Sequence, residues 1–102
     1  MREKRMVQYR VSVPLSIFKE GEQFVAHCPV LDLSTSGHTF DQVQARFHEA
    51  LQMFIEDLVE QGTLDEVLQS YGSQKLTKPK PHWAPPQLVS STQQEALIPA
   101  GA

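Results

Sequence analysis

The apolar series Val43, Phe47, Ala50, Leu51, Phe54 and Leu58 advances in steps of four, three, one, three and four, which keeps all six side chains on one stripe of a helix. Thr39, with Gln42 three residues later, has the pattern of a capping box, and Asp41 places a negative charge in the first turn, where the helix dipole favours it. Gly62 is the stop signal. The predicted helix runs for about six turns and is apolar on one side only. A helix of that kind needs a surface to cover.

The residues before it supply a sheet. From Val7 to Ile17 the odd positions Val7, Tyr9, Val11, Val13, Leu15 and Ile17 are apolar, and the even ones are mostly polar, which predicts a strand with one buried face. Pro14 has no N–H for a ladder, so that strand is expected at an edge or with position 14 bonding outward. Gly21 marks a turn, and Gln23 to Cys28 forms a second strand with Phe24, Ala26 and Cys28 on one face and Val25 and His27 on the other. Pro29 ends it. A third strand runs from Leu31 to Ser36, with Leu33 and Thr35 on one side, and breaks at Gly37. The three strands are expected to form an antiparallel meander under the long helix.

After Gly62, Thr63 to Glu66 repeats the capping-box signature and predicts a short helix from Leu64 to Tyr71, closed by Gly72. Beyond Gly72 the composition turns to Lys, Pro, Ser and Gln, with Trp83 set among prolines. This reads as an extended segment, with room for a short fourth strand near Lys75 to Thr77. The expectation is an α+β fold: a three-stranded antiparallel sheet, one long helix and a short second helix in residues 1–73, then a Pro-rich tail over residues 74–102.

At 102 residues the chain is too short for two full cores, and an ordered part of about 75 residues is marginal alone. Self-association is therefore expected. The net charge of −3 conceals a pattern: Arg46 is the lone basic residue between positions 20 and 72, against Glu20, Glu22, Asp32, Asp41, Glu49, Glu56, Asp57, Glu60, Asp65 and Glu66. A nucleic-acid binder needs lysines and arginines gathered on one face to displace counterions from phosphates, and a middle section with Arg46 alone cannot supply that. Arg2, Lys4 and Arg5 at the start, and Lys75, Lys78 and Lys80 in the tail, are the alternative for DNA. One cysteine, Cys28, excludes an internal disulfide and fits a reducing compartment. Neither a signal peptide nor a membrane span is read in the chain, so the expected location is cytoplasmic.

The order Gly21-x-x-Phe24-x-Ala26-x-Cys28-Pro29-x-Leu31, then Ser36-Gly37-x-Thr39, then Glu49-Ala50-Leu51, resembles the HicB-like antitoxin family of toxin-antitoxin operons. The run Gly62-Thr63-Leu64-Asp65-Glu66-Val67-Leu68 resembles the C-terminal helix of a single-domain branch of that family. The resemblance covers roughly residues 9 to 72. It implies a partial RNase H-like fold, assembly into dimers or larger oligomers, and a partner: a small basic HicA-type toxin that cleaves mRNA. Many members also carry a C-terminal helix-turn-helix or ribbon-helix-helix, and neither pattern follows Gly72 here.

Catalysis is not expected. An RNase H site needs several carboxylates converging on two metal ions, and the strands offer only Asp32, which reads as a turn residue. His27 and Cys28 are neighbours on a strand and point to opposite faces, so they cannot share a proton. His27, His38, His48 and His82 lack metal-ligand spacing, and no metal or cofactor is expected. The candidate partner-binding residues are Glu49, Glu56, Asp57 and Glu60 on the helix, together with Trp83 as an exposed anchor in the tail. Phe47, Leu51, Phe54 and Leu58, with Met53 beside them, are assigned to the core or an oligomer interface.

Overall fold

The computed structural model describes residues 8–101 and shows a mixed α+β fold with two small three-stranded sheets and two helices. Strand β1 is Arg10–Val11, β2 is Ser16–Glu20, β3 is Gln23–Cys28 and β4 is Leu33–Gly37. Helix α1 spans Phe40–Gln61, α2 spans Leu64–Ser70, and strands β5 (Gln74–Leu76) and β6 (His82–Ala84) follow. One sheet has the order β2-β3-β4 and is antiparallel throughout. The other has the order β1-β6-β5, with β1 parallel and β5 antiparallel to β6.

The meander follows its sequence pattern closely. A two-residue turn, Gly21-Glu22, joins Glu20 to its partner Gln23, and Gly21 takes the positive φ of 62° that such a turn requires. Ala26 and Cys28 are fully buried toward α1, while the registers Val25 to Ser36 and His27 to Ser34 lie on the opposite face. Pro29 to Asp32 forms the turn into β4, with Asp32 left-handed at φ 53°, so β4 begins two residues later than the Leu31 start expected.

Helix α1 has the bounds its signals dictate. The Thr39 hydroxyl accepts from the Gln42 N–H at 3.0 Å, and Gly62 closes the helix at φ 73°. The Gln42 side chain reaches back one residue further than in a standard capping box, its Oε1 accepting from the His38 N–H at 2.7 Å. At Thr63 the expected box does not form. The hydroxyl makes no capping bond and is buried without a partner, and α2 stops at Ser70, one residue short of the predicted end.

Two expectations are corrected. The single strand from Val7 to Ile17 is two strands in different sheets, separated by Ser12 to Leu15, with Val7 outside the described residues. Pro14 cannot donate to a ladder, and the extended chain crosses from one sheet to the other around it. The alternation survives because any extended backbone turns successive side chains to opposite sides: Val11, Val13, Leu15 and Ile17 are half-buried and Ser12, Pro14 and Ser16 exposed.

The second correction concerns the segment after Ser73. It is not tail throughout: Gln74–Leu76 and His82–Ala84 are strands, and the possible fourth strand joins the second sheet, not the meander. Trp83 is 1% exposed and belongs to one core cluster with Ala26, Cys28, Leu31, Val43, Phe47 and Leu68. Both sheets and both helices therefore share one apolar centre. Residues 85–101 form neither helix nor strand. The radius of gyration of 18.0 Å exceeds the roughly 13 Å of a compact chain of this length, because these residues leave the body.

Candidate functional site

Along α1 the buried and half-buried side chains Val43, Phe47, Leu51, Phe54 and Leu58 face the sheets, as their spacing requires. On the opposite side, at 100° per residue, Glu49, Met53, Glu56, Asp57 and Glu60 fall into one exposed stripe. It is about 17 Å long, at 1.5 Å of rise per residue. The sequence grouped Met53 with the core stripe. The structure turns it outward at 59% exposed, into a shallow open depression of about 350 Å³ lined by Arg46, Glu49, Ala50 and Met53.

The charge on this stripe is not cancelled from within. Among the described residues no lysine or arginine lies within salt-bridge distance of Glu49, Asp57 or Glu60, and Glu56 is held by the neutral amide of Gln52 at 3.0 Å. Arg46 borders the depression, but its guanidinium donates to the Ser36 carbonyl at 2.8 Å, which ties it to β4. An exposed methionine on a stripe of carboxylates that make no salt bridge is a surface suited to a basic partner with an apolar contact. Glu66 is exposed on α2, whereas Asp65 is paired with Lys75 at 3.1 Å.

Trp83, expected as an exposed anchor, is excluded from that role by its burial. Its ring forms part of an internal arrangement: the Lys75 ammonium sits 4.9 Å from the Tyr9 ring centre and 5.9 Å from that of Trp83 while bonding Asp65. That arrangement links β5, β6, α2 and the start of the chain. No local signal in the sequence joins these residues.

The DNA alternative divides. Arg2, Lys4 and Arg5 lie outside the described residues. Lys75 is engaged internally, and Lys78 and Lys80 are exposed in the turn between β5 and β6. Of the histidines, His27 bonds the Ser34 hydroxyl at 2.7 Å on the outer sheet face, away from Cys28, and His82 bonds the Lys80 carbonyl at 2.6 Å. Among the described residues no three His, Cys, Asp or Glu side chains gather as metal ligands would. No described helix is long and apolar enough to cross a membrane. No family model, curated protein or solved structure matches the chain.

Proposed function

We propose that this chain is a non-enzymatic, cytoplasmic binding protein of the HicB-like antitoxin kind, with a partial RNase H-like core, that neutralises a small basic mRNA-cleaving toxin of the HicA type. The observation that carries the reading is the outer stripe of α1, where Glu49, Asp57 and Glu60 share a face with exposed Met53 and none of them makes a salt bridge to a described lysine or arginine. The residue order from Gly21 to Leu51 adds the family resemblance. In this reading the carboxylates steer the basic toxin by long-range attraction and Met53 supplies the dry contact.

The test is a binding and inhibition assay with a HicA-type toxin and the triple variant Glu49→Lys, Asp57→Lys, Glu60→Lys. These side chains are exposed, so the fold is retained, and inhibition of mRNA cleavage is expected to fall at least tenfold. The wild-type association rate is expected to drop as salt rises. Undiminished inhibition by the triple variant removes the reading. A second reading, a DNA-binding autoregulator, has exposed Lys78 and Lys80 in its favour. A mobility shift on the upstream DNA that the double alanine variant loses would support it instead.

A further inference from the structure

Charge is divided between the two halves of the molecule. The carboxylates from Glu20 to Glu66 belong to the meander, its turns and the two helices, whereas residues 8–15 and 71–86, which build the second sheet, contain no aspartate or glutamate. The cations there are Arg10, Lys75, Lys78 and Lys80. Lys75 is paired with Asp65 of α2, but among the described residues Arg10, Lys78 and Lys80 form no salt bridge, and all three are exposed. Arg10 is far from the lysines in sequence. The parallel pairing of β1 with β6 brings it beside them.

The strand register fixes which side chains share a face. Trp83 is buried in the core, and its register partners Val11 and Lys75 turn the same way, Val11 packing on that core and Lys75 bonding α2. Alternation therefore puts the adjacent row, Arg10, His82 and Leu76, on the outer face. With about 4.8 Å between strands, a guanidinium, an imidazole and an isobutyl group stand next to one another across the sheet. Leu76 is 38% exposed although apolar. The imidazole is held in place: a carbonyl oxygen only accepts, so His82 Nδ1 donates to the Lys80 carbonyl at 2.6 Å and Nε2 is left out of that bond. Leu76 ends β5 and His82 begins β6, so Lys78 and Lys80 stand at the hairpin end of this row.

Cations bordering planar and apolar side chains match a nucleic-acid strand whose bases are unpaired. Lysines meet its phosphates, while a guanidinium, an imidazole and a leucine side chain offer surfaces for the faces of its bases. In a duplex those faces are stacked on one another and closed off. A duplex is read by a helix or a two-stranded ribbon that enters its groove, and both helices here present carboxylates, Glu49, Glu56, Asp57 and Glu60 on α1 and Glu66 on α2. The β5–β6 hairpin is not a free ribbon, because β1 flanks it and Trp83 fixes it to the core.

We infer that the outer face of the second sheet binds single-stranded nucleic acid, with Arg10, His82 and Leu76 against the bases and Lys78 and Lys80 on the phosphates. This site is independent of the acidic stripe on α1, and it shares its lysines, but not its ligand, with the duplex-DNA reading. Fluorescence anisotropy of a labelled oligouridylate titrated with the full-length protein tests it, beside a duplex DNA of equal length. The wild type is expected to bind the single strand at low salt and the duplex about tenfold more weakly. Each phosphate contact contributes about 0.7 to the slope of log affinity against log salt, so the double variant Lys78→Gln, Lys80→Gln is expected to bind more weakly with a slope shallower by about one unit. Arg10→Lys and His82→Asn, which remove a planar group without removing a full charge, are expected to weaken binding about fivefold and to leave the slope unchanged. All three proteins are expected to keep the wild-type circular dichroism. Absence of binding at low salt, equal affinity for duplex and single strand, undiminished affinity in the lysine variant, or wild-type affinity in both Arg10→Lys and His82→Asn would each overturn the assignment.

Discussion

Trp83 shows how one side chain sets the extent of the folded unit. It is buried against residues from β3, α1 and α2, and Lys75 caps it from outside while also covering Tyr9. Replacing so large a buried ring with alanine removes apolar contact from both sheets at once and leaves a cavity. Trp83→Ala is expected to lower stability by about 3–5 kcal/mol, a large share of the total for a small domain, read as a fall in the urea midpoint by circular dichroism. An exposed tryptophan used only to anchor a partner would leave that midpoint unmoved.

At the scale of elements, α1 depends on its ends as well as its stripe. Thr39 satisfies the Gln42 N–H and Gln42 in turn satisfies His38, so the first turn is held on both sides. Thr39→Ala is expected to cost about 1 kcal/mol, measurable as a shift in thermal midpoint, whereas Thr63→Ala, which removes no capping bond and relieves an unpartnered hydroxyl, costs less. The contrast explains what could be read from the sequence. Capping boxes, the 3.6-residue stripe and the Gly21 turn are local, and each predicted its element to within a residue or so. The same signature at Thr63, with Glu66 in the place of Gln42, formed no capping bond, because the hydroxyl is turned inward and buried. Met53 was misplaced for a related reason: it is adjacent in sequence to Phe54 but a full 100° away around the helix.

For the whole molecule, the second sheet was the part the sequence concealed. Its parallel pair joins Arg10–Val11 to residues 82 and 83, and such distant pairing leaves no periodic trace in either short segment. Prolines on both sides of Trp83 argued for an extended chain, which is correct for the backbone and misleading for burial. A boundary after Ser73 would remove β5, β6 and Trp83 together. A chain truncated there is expected to lose cooperative unfolding, whereas one ending after Pro86 keeps it, as denaturant titrations of the two would show. The acidic stripe on α1, by contrast, was legible because exposed charge is written directly in residue type and helical phase.

The parallel pairing of β1 with β6 also bears on how the protein is made. The first of the described strands has its hydrogen-bonding partner in the last of them, so the meander and α1 can assemble early while Tyr9 and Val11 wait. Nascent chains shorter than residue 84 carry an open core. Completion of the fold is thereby tied to the synthesis of β6, and a product terminated before it would be recognised by proteases as unfinished.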